Sequence, residues 1–183
     1  MSEISIRAMT AADWPDASRI YREGIETGLA TFQSECPPWE DWDRAHLGAC
    51  RLVAVLDGSI AGWAALSAVS GRCVYAGVAE VSVYIAKSVR HTGVGTRLLN
   101  ALVSASEESG FWTLQSGILQ ENKASLRLHE KCGFRVVGYR EKIGRDQNGN
   151  WRNTVLMERR SKRDDFSDTC GCACGHDEEK EPT

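Results

Sequence analysis

Glu80 stands in the alternating run Glu80-Val81-Ser82-Val83-Tyr84-Ile85, and a glycine-bearing turn, Arg90-His91-Thr92-Gly93-Val94-Gly95, follows ten residues after it. A carboxylate beside an amine can take its proton and leave the neutral, nucleophilic form. A glycine turn that opens a helix aims backbone N–H groups at an anion, and a phosphate is the usual occupant. The segment Glu80 to Asn100 therefore places a candidate base and an anion cradle side by side.

Positioning them requires a strand before the turn and a helix after it. Val81, Val83 and Ile85 point one way along the strand, and Glu80, Ser82 and Tyr84 the other. Beyond the turn, Val94, Leu98, Leu102 and Ala105 recur at helical spacing, with Leu99 and Val103 widening the stripe.

Around this centre the pattern predicts a first strand at Ile4 and Ile6, and a helix capped near Thr10 to Asp13 that runs through Ile20, Tyr21 and Ile25. After a loop enforced by Gly28 and Pro37-Pro38, a second helix is expected from Trp39 to Gly48. Arg51–Leu56, Asp57-Gly58 and Ser59–Leu66 read as a hairpin. A strand from Arg72 to Ile85, with a bulge near Gly77, leads into the central turn. Later come a strand at Phe111–Ile118, a helix at Asn122–Lys131 with Ala124, Leu126 and Leu128 apolar, and strands at Phe134–Tyr139 and Thr154–Met157 around an Asn148-Gly149-Asn150 turn. The order β α α β β β α β α β β predicts an α/β (α+β) fold with a central mixed sheet flanked by helices.

Composition bounds the rest. The chain has 183 residues, enough for one domain, expected over 1–161. With 42% hydrophobic and 26% charged residues it reads as globular. The start MSEISIRAM has no charged-then-apolar signal and no apolar run approaches spanning length, so a cytoplasmic protein with no membrane partner is expected. From Arg163 to Thr183 seven acidic residues face two basic ones, so this stretch carries −5 and the preceding residues +2. The basic residues are scattered, which argues against nucleic acid. Cys36, Cys50, Cys73 and Cys132 are dispersed, while Cys170, Cys172 and Cys174 cluster in the tail, 162–183. That tail is expected to be a disordered acidic terminus; the alternative is soft-ion binding by its thiolates, at a spacing unlike a structural zinc site. No metal is expected in the chemistry.

The turn is neither a P-loop nor a dinucleotide fingerprint, since no Gly-Lys-Ser/Thr follows and Leu98 stands where a third glycine would be. Arg90-x-x-Gly93-x-Gly95, with Asn122-x-x-Ser125 and His129-Glu130-Lys131-Cys132-Gly133-Phe134 downstream, resembles the acyl-CoA motifs of the GNAT N-acetyltransferase superfamily. AEVSVYI, LHEKCGF, Ala30-Thr31-Phe32 and Trp151…Leu156-Met157-Glu158-Arg159 are similar to the subgroup that acetylates phosphinothricin, methionine sulfoximine and, in some members, arsinothricin.

The resemblance implies a GNAT fold and acetyl-CoA as co-substrate. It places the N–H groups of His91, Thr92, Gly93, Val94, Gly95 and Thr96 on the pyrophosphate, with Arg90 opening the motif. The backbone of Val83, Tyr84 and Ile85 would meet pantetheine and the thioester, Asn122 would hold pantetheine, and Lys131 would reach CoA. Glu80 is implied as general base in direct transfer. His129 occupies the position of a Tyr that protonates the leaving thiolate in many members. Phe32, Arg72 and Tyr75, with Cys73 and Val74 in the same segment, would line the site of a glutamate-like amino acid, and a homodimer is the implied assembly. Ala76 departs from the Arg, and Asn153 from the Asp, that many subgroup members carry. Competing readings are the same chemistry on another small amine or a protein N-terminus, and a non-catalytic acyl-CoA- or soft-metal-binding protein.

Overall fold

The structure is a computed structural model that describes residues 4–163. Seven strands form one sheet in the order β1-β2-β3-β4-β5-β7-β6: β1 Ile4–Ala8, β2 Leu52–Leu56, β3 Ser59–Ala68, β4 Val78–Ile85, β5 Thr113–Leu119, β6 Arg135–Arg145 and β7 Trp151–Arg160. The helices are α1 Trp14–Glu26, α2 Trp39–Ala45, α3 Val94–Glu108 and α4 Lys123–Lys131. The mixed α/β architecture and the element order are as the pattern predicts. No helix of the described residues is long and apolar enough to cross a membrane. The cysteine-rich cluster lies outside the described residues.

Helices cover both faces of β3, so it is buried along nearly its whole length instead of alternating. One face is aliphatic: Ala64, Leu66, Val81 and the α3 stripe Val94, Leu98, Leu99 and Leu102 form one cluster. Each of those α3 side chains is fully buried, which stabilises by about 1.5–3 kcal/mol apiece. Ser106, not Ala105, continues the buried stripe and donates to Val103 O at 2.7 Å. The other face is aromatic, with Tyr21 of α1, Trp42 of α2, Trp63 of β3 and Tyr84 of β4 in ring contact.

Several boundaries differ from expectation. The second helix stops at Ala45, where His46 turns extended and its Nδ1 meets Trp42 O at 2.7 Å. The strand expected from Arg72 begins only at Val78, because Cys73–Tyr75 is a 3-10 turn. Gly77 marks a close approach and not a bulge: a Cβ there would lie 2.1–2.4 Å from the Trp112 ring. Strands β6 and β7 run several residues longer than their apolar cores, since β6 is a sheet edge with most side chains exposed.

The feature that positions the site is the one parallel pairing. β4 joins β5 only at Val78↔Thr113, Ala79↔Leu114 and Glu80↔Gln115, although β4 continues to Ile85 and stays paired with β3 throughout. Beyond Glu80 the two strands part, and the edge of β4 that faces β5 is released from the ladder.

Candidate active site

Two adjoining cavities open where the strands part. The larger, about 510 Å³, is bounded by β4 at Val83–Ile85, the turn into α3, and the outward face of α4. Gly93 makes this turn possible: its φ of 93° is left-handed backbone that costs glycine little. His91 also adopts positive φ, at 67°. The first ladder bond of α3 is Arg97 N–H to Gly93 O, so the N–H groups before it have no partner within the helix and sit at the positive end of its dipole. Arg90, Arg127 and Lys131 line the same cavity, and no Asp or Glu does. A large cavity with cationic side chains and a helix start fits a polyanionic nucleotide tail with an elongated arm.

Of the expected cofactor residues, Val83, Tyr84, Ile85, Arg90, His91, Gly93, Gly95, Thr96, Asn122 and Lys131 line this cavity. Two side chains do not. Val94 is wholly buried in the aliphatic core, and the Thr92 hydroxyl turns back to donate to Val89 O at 2.7 Å. Only their backbone is available to a ligand.

The smaller cavity, about 240 Å³, lies on the Glu80 side of the strand gap. Glu80 is exposed into it, and Glu80 Oε2 accepts from Gln115 Nε2 at 3.2 Å, which steers the carboxylate across the gap. Ser82, Ser116 and Phe32 line it too. So does His129, the one fully buried side chain of α4. His129 Nδ1 lies 2.8 Å from Ser125 O; a carbonyl only accepts, so this nitrogen carries the ring proton. Nε2 is then a bare acceptor, with no hydrogen-bond partner among the described residues. Burial holds the His129 pKa below its ordinary value, against the smaller opposing effect of the Ser125 carbonyl. The ring is therefore a neutral acceptor, packed edge-on to Phe134 at 4.9 Å between centroids.

His129 lines the smaller cavity and not the larger one, with its Nδ1 facing the Ser125 carbonyl.

The expected acceptor residues divide. Phe32 lines the smaller cavity, but Arg72, Cys73, Val74 and Tyr75 line neither and lie in the exposed turn before β4, Arg72 over the Tyr75 ring at 5.7 Å. The turn enters β4 only a few residues before Glu80, yet none of its side chains lines the cavity that Glu80 lines, so nearness in sequence did not bring them together. Cys132 is buried against Thr96 O, and desolvation raises its thiol pKa, a poor state for a nucleophile. Among the described residues no three His, Cys, Asp or Glu side chains converge as a metal site.

Other contributors were missed. Ala30 and Thr31 come from the α1–α2 connection, and Arg127 joins Lys131 on one face of α4. The Arg127/Lys131 spacing of four was a usable signal; nothing local marks Ala30. Asn122 has a wider part than expected: Oδ1 caps α4 by accepting from Ser125 N, and Nδ2 donates to Leu29 O, each at 3.1 Å. Asn153 holds strand geometry by accepting from Lys142 N and donating to Gln120 Oε1.

Residues 9–134 match the family described as Acetyltransferase (GNAT) family. A phosphinothricin N-acetyltransferase of Alcaligenes faecalis is 35% identical over 85% of this chain and 81% of its own. An L-methionine sulfoximine/L-methionine sulfone acetyltransferase of Pseudomonas aeruginosa is 30% identical over 84% of this chain and 92% of its own. The crystal structure of a GNAT superfamily phosphinothricin acetyltransferase from Sinorhizobium meliloti in complex with AcCoA superposes with a TM-score of 0.78 at 29% identity, covering 86% of this chain and 88% of that one.

Proposed function

The chain belongs to the acetyltransferase (GNAT) family and is an acetyl-CoA-dependent amino-acid N-acetyltransferase, and on that premise we propose that its acceptor is the α-amine of a glutamate-sized amino acid with a polar head, such as phosphinothricin, methionine sulfoximine or arsinothricin. The observation that carries the proposal is that Glu80 and His129 line one 240 Å³ cavity that shares lining residues with the larger one.

Acetyl-CoA, when bound, supplies a thioester whose acyl group a neutral amine takes up with release of the thiol. Arg90, Arg127, Lys131 and the α3 start would hold its anionic end, and the freed edge of β4 would present N–H groups to its arm and carbonyl. Glu80 takes the proton of the incoming ammonium, directly or through a water. Phe32 supplies an apolar wall, and the Arg72–Tyr75 turn acts from the rim on an anionic head.

Transfer forms the amide C–N bond as the thioester C–S bond breaks, and the acceptor loses its basic α-amine, so the activity would confer resistance to such a toxin. We further propose a cytoplasmic homodimer, supported by the exposed apolar residues Val136, Val137, Tyr139, Ile143 and Trp151 along the β6–β7 edge. A monomer by light scattering at assay concentration would refute the dimer.

The decisive experiment follows thiol release from acetyl-CoA with phosphinothricin, methionine sulfoximine, arsinothricin, glutamate and spermidine. Turnover with at least one glutamate analogue and none with spermidine is expected. No turnover with any glutamate analogue sinks the acceptor assignment.

A further inference from the structure

Five residues line both cavities: Val83 and Tyr84 on β4, Asn122 and Ser125 at the start of α4, and Ala30 on the α1–α2 connection. They ring the passage through which an acyl group in the larger cavity must meet an amine in the smaller. Ala30 has the smallest side chain of the five and is the one that neither β4 nor α4 supplies.

Ala30 is held firmly. Thr27 Oγ1 donates to Gly24 O at 2.6 Å and accepts from Leu29 N at 3.1 Å, and Thr31 Oγ1 accepts from Gln33 N at 3.0 Å. Between these two closed turns, Leu29 O accepts from Asn122 Nδ2 at 3.1 Å. The Phe32 ring lies against Gly144, where an added Cβ would come within 3.0 Å of it. Tyr84 is equally confined, with the Tyr21 and Trp63 rings each 4.7 Å away. Gly24 is bare where both close in: a Cβ there would lie 2.7 Å from the Tyr84 ring and 3.6 Å from the Ala30 Cβ.

We infer that Ala30 gauges the acyl group: the ring passes an acetyl group, and residue 30 sets the limit on longer chains. The inference rests on the acyl-transfer reading above. A propionyl or butyryl chain must push against Ala30, an exposed residue whose neighbours Leu29 and Thr31 are hydrogen-bonded, or extend into the cavity that the amine needs. A close steric fit of this kind discriminates by roughly tenfold or more per methylene.

The test compares wild type, Ala30→Gly and Ala30→Val by two readouts. The first is calorimetric affinity for CoA, acetyl-CoA, propionyl-CoA and butyryl-CoA without acceptor. Butyryl-CoA, longer by two methylenes, should bind wild type about a hundredfold more weakly than acetyl-CoA, a gap that narrows in Ala30→Gly and widens in Ala30→Val, with CoA itself within about twofold throughout. The second is the propionyl-to-acetyl ratio of kcat/KM with the best amino acid, which should rise about fivefold in Ala30→Gly and fall by at least as much in Ala30→Val. Donor ratios that stay at the wild-type value in both variants overturn the inference alone. Wild type that binds acetyl-CoA yet transfers to no amino acid overturns the acceptor proposal, while the affinity series still decides the gauge.

Discussion

The larger cavity is cationic and draws mainly on the stretch Val83 to Thr96 and one face of α4, with the end of α1 and the residues after it, Gly24 to Ala30, closing one side. The smaller one holds a carboxylate and a neutral imidazole and is assembled from the α1–α2 connection, β4, β5 and α4. Gripping a phosphate takes backbone N–H groups and a helix dipole, which one short segment can supply. Seating an amine beside a base takes side chains in three dimensions, which no single segment can. The two halves should therefore fail separately when perturbed.

Glu80→Gln is the severest test of that independence. Turnover should fall by about 10²-fold or more, the scale of a lost general base, while CoA affinity stays unchanged by calorimetry. Unaltered turnover would remove Glu80 as the base, and weakened CoA binding would show that the halves are not separable. Gly93→Val probes the opposite half. Forcing a β-branched residue into φ of 93° costs about 1–2 kcal/mol, so CoA affinity should drop about tenfold with the acceptor KM unchanged. An acceptor KM that rises equally would contradict the division.

A smaller effect comes from pH. The His129 pKa is below its ordinary 6.5 in the fold, by burial, and His46 is shifted in the same direction for the same reason. The unfolded chain therefore binds protons first, so stability is full above pH 6.5 and declines as pH falls through that value toward the folded pKa values. The melting temperature should be lower at pH 5.5 than at pH 7.5, and the drop should shrink in His129→Leu. An undiminished drop would show that this ring is not buried neutral. Smallest of all, Arg72→Ala should raise KM for an anion-headed acceptor by less than about fivefold, as expected of an exposed charge, and leave CoA affinity alone. A far larger rise would place Arg72 inside the acceptor cavity.

The same division governs what could be read in advance. Gly93 and Gly95 opening a patterned helix were visible because the turn and the stripe Val94, Leu98, Leu102 are local regularities. The α4 segment was legible as a helix with Ala124, Leu126 and Leu128 apolar, but its one fully buried residue is His129. Hydropathy ranks residue types and cannot foresee a histidine whose one proton is satisfied by the carbonyl a turn earlier. The Cys73–Tyr75 segment reads as strand because Val74 and Tyr75 favour strands, yet both side chains are exposed and the segment forms a 3-10 turn.

By itself the amino-acid order determined the α/β class, the strand–turn–helix at Glu80 to Asn100 and the acyl-CoA motifs, because these depend on spacing within one or two elements. Tertiary structure alone decided where β4 and β5 part, that His129 is buried with its Nδ1 on the Ser125 carbonyl, and that Ala30 lines both cavities. Those depend on contacts between segments remote in sequence, such as Asn122 with Leu29 and Phe32 with Gly144, and no local periodicity encodes them.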